Sequence, residues 1–251
     1  MMKDFAAVIL AAGKGKRMNS KTVNKVTLLL AAKPMVIRTF EILEKLEIKK
    51  VLIVVGFAKE SVMKLFDQTN VIFCEQRKRL GTAHAVNCAM QKMPLGVKNI
   101  LVLNGDDSAM YKTDTIRQLV KKHMETKSSF TFLTIEMENP TGLGRIIRGD
   151  QGKVLAIVEE KDATEDIKKI REVNPACYLF RIEFLKKYLP LIKKSSVTGE
   201  YYLTSLIDIG IKNNEKIETL QAGLFAWRGV NTKEELVEAE NIFLKIKETL
   251  V

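Results

Sequence analysis

Directly after a short apolar run, Phe5 to Leu10, comes Ala11-Ala12-Gly13-Lys14-Gly15-Lys16-Arg17-Met18. Glycines allow backbone N–H groups to turn towards an anion, and cations neutralise it. The loop is not a P-loop, because no Gly-Lys-Ser/Thr falls five residues after a glycine, and it lacks the third glycine of a dinucleotide fingerprint. By itself Gly-x-Gly reads equally well as a solvated turn. The charges around it are more specific. From Phe5 to Phe40 there is no Asp or Glu, while Lys14, Lys16, Arg17, Lys21, Lys25, Lys33 and Arg38 all fall there. A solvated face mixes signs. A one-sign cluster after a strand points to a polyphosphate, with arginine as a fork and lysine as a point charge.

Apolar runs alternating with helical patterns must position this loop. Strands are expected at Phe5–Leu10, Val51–Val55, Val71–Cys74 and Ile100–Leu103. Helices are expected at Pro34–Leu46, Lys59–Phe66, Ala83–Met93 and Thr113–Glu125. Continuous apolar strands alternating with helices imply a parallel sheet covered on both faces, with ligands at the strands' carboxyl ends. The second half differs. Phe130–Ile135 reads as a strand, and Arg145–Arg148 and Val154–Val158 flank the turn Gly149-Asp150-Gln151-Gly152 as a hairpin. Val173–Phe180 reads as one strand in which Pro175 predicts an edge or a bulge. Lys233–Leu250 is an amphipathic helix, with Leu236, Ala239, Phe243, Ile246 and Leu250 three or four apart. One continuous α/β domain is the expected organisation.

The 251 residues are 46% hydrophobic and 28% charged, with a formal charge of +11. This excludes a disordered chain or a collagen-like one. The charge alone leaves nucleic acid, an anionic membrane and small anions open. Aromatic residues are only 7%, and the cations gather in a glycine loop, which disfavours nucleic acid. Cys74, Cys88 and Cys177 fit neither a disulfide framework nor a zinc ribbon, and reduced cytoplasmic thiols are the simplest account. No apolar run approaches the ~20 residues that span a bilayer.

Leu10 to Met18, then Lys25, then Ala32-Lys33-Pro34-Met35, resembles the opening of the sugar-1-phosphate nucleotidylyltransferases. The match is closest to the uridylyltransferase domain of bacterial N-acetylglucosamine-1-phosphate uridyltransferase. It continues through Gln76, Leu80-Gly81-Thr82-Ala83-His84-Ala85, Gly105-Asp106, Gly142-Leu143-Gly144-Arg145-Ile146, Glu159-Glu160-Lys161-Asp162-Ala163-Thr164, Asn174, Gly199-Glu200-Tyr201-Tyr202-Leu203-Thr204 and Gly229-Val230-Asn231-Thr232. The order and spacing carry the resemblance, since each piece alone is weak.

The resemblance implies a Rossmann-like (glycosyltransferase-A-like) α/β fold: a mostly parallel sheet flanked by helices, plus a smaller mixed-strand sugar-binding lobe. It divides a single domain into a nucleotide part over 1–110, a sugar part over 111–230 and a C-terminal helix over 231–251. The implied reaction joins UTP and N-acetylglucosamine 1-phosphate into UDP-N-acetylglucosamine and pyrophosphate, with Mg2+ as cofactor. Both substrates are small molecules, and neither nucleic acid nor membrane is an implied partner. Such chemistry asks mainly for positioning and charge stabilisation. Matched residue by residue, Arg17 and Lys25 are the catalytic cations. Leu10, Ala11, Ala12, Gly13, Gly15, Gln76, Gly81 and Thr82 hold the nucleotide. Gly144, Glu159, Asn174, Tyr202 and Thr204 hold the sugar, and Asp106 with Asn231 holds the metal. The Gln76 carboxamide offers a donor and an acceptor to the imide edge of uracil, and thymine presents the same edge. His84, within a helix, reads as structural.

Departures from the family pattern are Lys16 for threonine, Asn24 for proline before Lys25, Asp107-Ser108-Ala109 after Gly105-Asp106, Pro175-Ala176 after Asn174, Ser205 for aspartate, and one extra residue between Gly144 and Glu159. Most fall near the sugar station. Glucose 1-phosphate with UTP or dTTP, and a non-catalytic nucleotide-sugar binder on the same fold, are the alternatives. No hexapeptide repeat of an acetyltransferase β-helix occurs, so the expectation is a monofunctional enzyme or a fragment of a bifunctional one.

Overall fold

In the computed structural model the described residues are 2–15, 22–224, 227 and 229–248. The elements in order are β1 (Phe5–Ala11), β2 (Leu29–Leu30), β3 (Lys33–Pro34), α1 (Met35–Lys45), β4 (Lys50–Val55), α2 (Lys59–Met63), β5 (Ile72–Glu75), α3 (Thr82–Met90) and β6 (Asn99–Asn104). Then come α4 (Thr113–Thr126), β7 (Phe130–Glu136), β8 (Gly144–Arg148), β9 (Val154–Val158), α5 (Glu165–Lys168), β10 (Glu172–Asn174), β11 (Cys177–Arg181), α6 (Ile182–Tyr188), α7 (Ser205–Lys212), β12 (Ile217–Leu224) and α8 (Lys233–Glu248).

All but the small β2–β3 hairpin join one sheet ordered β5-β4-β1-β6-β11-β7-β10-β8-β9, with β12 beside β7. Strands β5, β4, β1 and β6 pair in parallel, and β12 pairs in parallel with β7. The ladders of β11, β10 and β9 are antiparallel to their neighbours, so these three run against the rest. Both faces are covered. Along β1, Phe5, Ala7, Ile9 and Ala11 pack with Met35, Leu43, Leu119 and Ala239 from α1, α4 and α8. Ala6 and Val8 face Ala85, Val86, Leu185 and Leu206 from α3, α6 and α7. Burial on both faces is why these strands read as unbroken apolar runs.

Two expectations need correction. The run Val173–Phe180 is two strands, β10 and β11, and neither lies at an edge. Five steps from Val173 to Tyr178 face three steps of β7, from Ile135 to Phe132, so Pro175 and Ala176 (φ 62°) are bulged out. On its other side β10 pairs with β8 and β11 pairs with β6, so the bulge forks the sheet into the β8–β9 lobe. The helix expected at Lys59–Phe66 is α2 followed by a 3-10 turn over Lys64–Phe66. Among the described residues, no helix is long and apolar enough to cross a membrane.

Candidate active site

The glycine loop leaves β1 at its carboxyl end. Gly15 has φ 59°, and a Cβ there would lie 3.1 Å from the Lys25 Cβ, so glycine lets the loop close over that lysine. Asn24, fully buried, ties the loop down. Its Nδ2 donates to the carbonyls of Ala11 (2.8 Å), Gly13 (3.3 Å) and Phe57 (2.7 Å). Its Oδ1 accepts from the Val26 N–H at 3.2 Å, and its own N–H donates to Ser61 Oγ at 3.0 Å. One side chain thus joins the end of β1 to the loop after β4 and holds Lys25 at a set height. The sequence marks Asn24 only as a departure; its role needs the distant Phe57 and Ser61.

Lys25 ion-pairs with Asp106 Oδ2, and its Nζ donates to Asn231 Oδ1 at 3.0 Å. Gly105 N–H donates to the Leu10 carbonyl at 3.0 Å, placing Asp106 beside the glycine loop. Asn231 is fixed by the start of α8: Glu235 Oε2 accepts from the N–H groups of Asn231 (2.6 Å) and Thr232 (3.0 Å), while Thr232 Oγ1 accepts from the Glu235 N–H at 3.2 Å. This is a capping box. Behind Asp106, burial first and the Asp106 charge second raise Asp107 to about 7. Its Oδ2 accepts from Asn104 Nδ2 at 2.8 Å, and its Oδ1 has no partner among the described residues. The donor set fits a hard cation: a carboxylate and a carboxamide oxygen from distant parts of the chain already converge on one cation, the Lys25 ammonium. Two hard oxygen donors are the small protein contribution that magnesium takes beside phosphates; among the described residues there is no group of three or more His, Cys, Asp or Glu that could hold a metal.

Gln76 follows β5, with its N–H on the Val55 carbonyl at 2.8 Å and its side chain nearly buried. Its Nε2 donates to the Gly81 carbonyl and meets His84 Nδ1, both at 3.0 Å. Gly81 has φ 107°, and a Cβ there would sit 2.5 Å from the Tyr201 carbonyl oxygen, so only glycine fits. Thr82 Oγ1 accepts from the Leu203 N–H at 2.9 Å.

A cavity of about 600 Å³ joins these groups. All eight nucleotide expectations, Leu10, Ala11, Ala12, Gly13, Gly15, Gln76, Gly81 and Thr82, line it with Lys25, Asp106 and Asn231. Asn24, Asn104, Arg79, Lys161 and Glu200 also line it and went unassigned in sequence. Arg17, Lys16 and Lys21 lie outside the described residues. Two cations of the one-sign cluster are engaged elsewhere. Lys33 pairs with Glu41, and Arg38 donates to the Leu30 and Ala31 carbonyls (2.8 Å each) beneath the Phe243 ring. The cluster is therefore partly structural.

The five sugar expectations gather beside this cavity and are not among its lining residues. Gly144 pairs with Asn174 across β8 and β10, and a Cβ on it would lie 2.9 Å from Ile157 Cγ2 and 3.6 Å from Glu159 Oε2. Thr204 Oγ1 donates to Glu159 Oε1 at 2.9 Å. Burial raises the Glu159 carboxyl above the usual range, against that hydrogen bond. Buried Arg145 anchors the turn from below through Glu160 at 2.7 Å. Asn174 spends Nδ2 on the Tyr178 hydroxyl (2.6 Å) and Oδ1 on the Ala176 N–H (3.1 Å). Tyr202 shares a 2.6 Å hydrogen bond with Thr198, four residues before it.

Comparison with known proteins gives the family and agrees with the fold. The family model described as "Nucleotidyl transferase" matches residues 6–245. The bifunctional protein GlmU of Caldicellulosiruptor saccharolyticus is 40% identical over 242 residues, 96% of this chain and 52% of that protein. The bifunctional protein GlmU of Carboxydothermus hydrogenoformans is 41% identical over 213 residues, 85% of this chain and 47% of that protein. The chain therefore spans about half the length of these curated relatives. A UDP-glucose pyrophosphorylase solved with UDP-glucose shares the fold, with a TM-score of 0.82 at 18% identity over 98% of this chain and 99% of that one. With a Rossmann-like sheet and its glycine loop in place, the chain belongs to the nucleotidyl transferase family.

Proposed function

We propose that this chain is a magnesium-dependent uridylyltransferase that joins UTP to N-acetylglucosamine 1-phosphate, releasing pyrophosphate. The observation that carries the reading is the meeting of Lys25, Asp106 and Asn231 at a glycine-loop cavity of about 600 Å³. Three groups so far apart in sequence converge where a triphosphate would lie.

A phosphate oxygen of the sugar 1-phosphate attacks the α-phosphorus of UTP. That P–O bond forms as the bond to the pyrophosphate oxygen breaks, and pyrophosphate departs with the electron pair. The N–H groups of the Gly13–Gly15 loop cradle the phosphates. Lys25 opposes the charge that builds on the α-phosphate and the leaving group, and Arg17 is assigned the same task from the family likeness. Asp106 and Asn231 would hold Mg2+, which when bound supplies charge neutralisation and alignment of the phosphates. With that ion in place, Lys25 would turn from both oxygens towards phosphate. Gln76 and Gly81 read the base, with Thr82 beside them. Glu159, Thr204, Asn174, Gly144 and Tyr202 form the sugar side, where an ionised Glu159 accepts from a ring hydroxyl. The reading takes 1–110 as the nucleotide part and 111–230 as the sugar part of one cytoplasmic domain.

The test is pyrophosphate release from UTP, dTTP, CTP and ATP against N-acetylglucosamine 1-phosphate and glucose 1-phosphate. UTP with N-acetylglucosamine 1-phosphate is expected to give the highest kcat/KM. Release from no pair, by protein that still binds UTP, refutes the reading in favour of a nucleotide-sugar binder.

A further inference from the structure

We propose that His84 fixes the carboxamide of Gln76, making Gln76 an acceptor-only reader of the base; this rests on the nucleotide-binding reading above. In sequence terms Gln76 offers both a donor and an acceptor, and His84 has no role. The hydrogen bonds alter both assignments.

The Gly81 carbonyl can only accept, so the Gln76 atom 3.0 Å from it is the amide nitrogen. The same nitrogen lies 3.0 Å from His84 Nδ1. Its second hydrogen points there, and Nδ1 accepts it, which places the imidazole proton on Nε2. Both hydrogens of the Gln76 nitrogen are then used inside the protein. Oε1 has no protein partner among the described residues, and Gln76 lines the cavity. One acceptor would hold the nitrogen; two acceptors set the plane of the amide, and so the direction of the Oε1 lone pairs. Both anchors are rigid. Gly81 is pressed against the Tyr201 backbone, and His84 stands on α3, whose Ala83 N–H donates to the Tyr201 carbonyl at 3.0 Å.

A fixed acceptor favours a base that offers a ring N–H. Uracil and thymine have one at N3. Cytosine presents a lone pair there, which would face the lone pairs of Oε1. His84 is therefore a positioning residue that separates UTP and dTTP from CTP, and it does not separate UTP from dTTP. A site built to pair one polar edge rejects the mismatched edge by leaving its own groups unpaired.

The experiment measures UTP and CTP affinity by calorimetry, and KM and kcat by pyrophosphate release, for the wild type, His84→Phe and His84→Asn. In His84→Phe the UTP/CTP affinity ratio is expected to fall at least fivefold, with the loss in KM for UTP and not in kcat. His84→Asn, whose Oδ1 can accept where Nδ1 does, is expected to keep the ratio within twofold. An unchanged ratio in His84→Phe, or an equal fall in both variants, overturns the inference. Histidine-selective 15N spectra of the wild type give a second readout that needs no variant, with only His84 and His123 to assign. A bare Nδ1 on His84 is expected, and a proton on Nδ1 overturns the inference. Wild-type protein that binds no UTP overturns the parent reading as well; UTP binding with an unmoved ratio overturns this inference alone.

Discussion

Asn24→Ala tests how the site is held. Its side chain makes two short contacts, 2.8 Å to the Ala11 carbonyl and 2.7 Å to that of Phe57, and two longer ones, 3.3 Å to Gly13 and 3.2 Å from Val26. At about 1 kcal/mol net for each short bond and less for each long one, the loss comes to about 2–4 kcal/mol. Urea unfolding reads it directly. Asn24→Asp keeps the shape, removes both donor hydrogens and turns a carboxylate towards three carbonyls, so its loss is expected to exceed that of alanine. Asn24 has φ −74°, within the range a proline ring imposes. The backbone at this position is thus one the family's proline could adopt, held here by hydrogen bonds instead of a ring. A loss in Asn24→Ala below about 0.5 kcal/mol, typical of an ordinary surface change, refutes the reasoning, as does an aspartate milder than alanine.

Lys25→Ala and Asp106→Ala should each lower kcat/KM at least tenfold, or ~1.4 kcal/mol of barrier, and near-normal rates in both contradict their roles. Burial lowers His123 from 6.5 to about 4, so between those values the unfolded chain binds more protons than the folded one. Stability present above pH 6.5 is therefore lost as pH falls towards 4, by about 3 kcal/mol at most, and urea unfolding of His123→Asn over that range should lack this contribution. Glu159 is raised by burial, so its folded form is favoured below the ordinary carboxylate pKa and penalised as pH rises through the raised value. Glu159→Gln should accordingly raise the melting temperature at pH 7 while weakening sugar-1-phosphate affinity in calorimetry.

The strands β1, β4, β5 and β6 and the helices between them were legible in the sequence because burial on both faces writes an unbroken apolar run. The glycine loop was legible because Gly15, at φ 59°, stands where other residues are strained, and because the charges around it carry one sign. The short helices α6 and α7 are not legible because they take their register from distant partners, and strand β12 is not because Glu218, Thr219 and Gln221 interrupt its apolar residues. Pro175 signals an edge or a bulge; the structure shows the bulge, and the choice depended on β6 and β8, each supplying a neighbour to one half of the run. Side-chain roles followed the same rule. The meeting of Lys25, Asp106 and Asn231 was legible through the order of motifs along the chain. Asn24 and His84 act through partners that sequence spacing does not reveal, and the same holds for Lys33 and Arg38, whose charges serve Glu41 and the β2–β3 hairpin.

The most direct measurement is mass-spectrometric analysis of the products formed from UTP, N-acetylglucosamine 1-phosphate and Mg2+. The account predicts UDP-N-acetylglucosamine and pyrophosphate in equal amounts, formed at least tenfold more slowly by Asp106→Ala. UMP with pyrophosphate and no nucleotide sugar, or no product from protein that binds UTP, would contradict it.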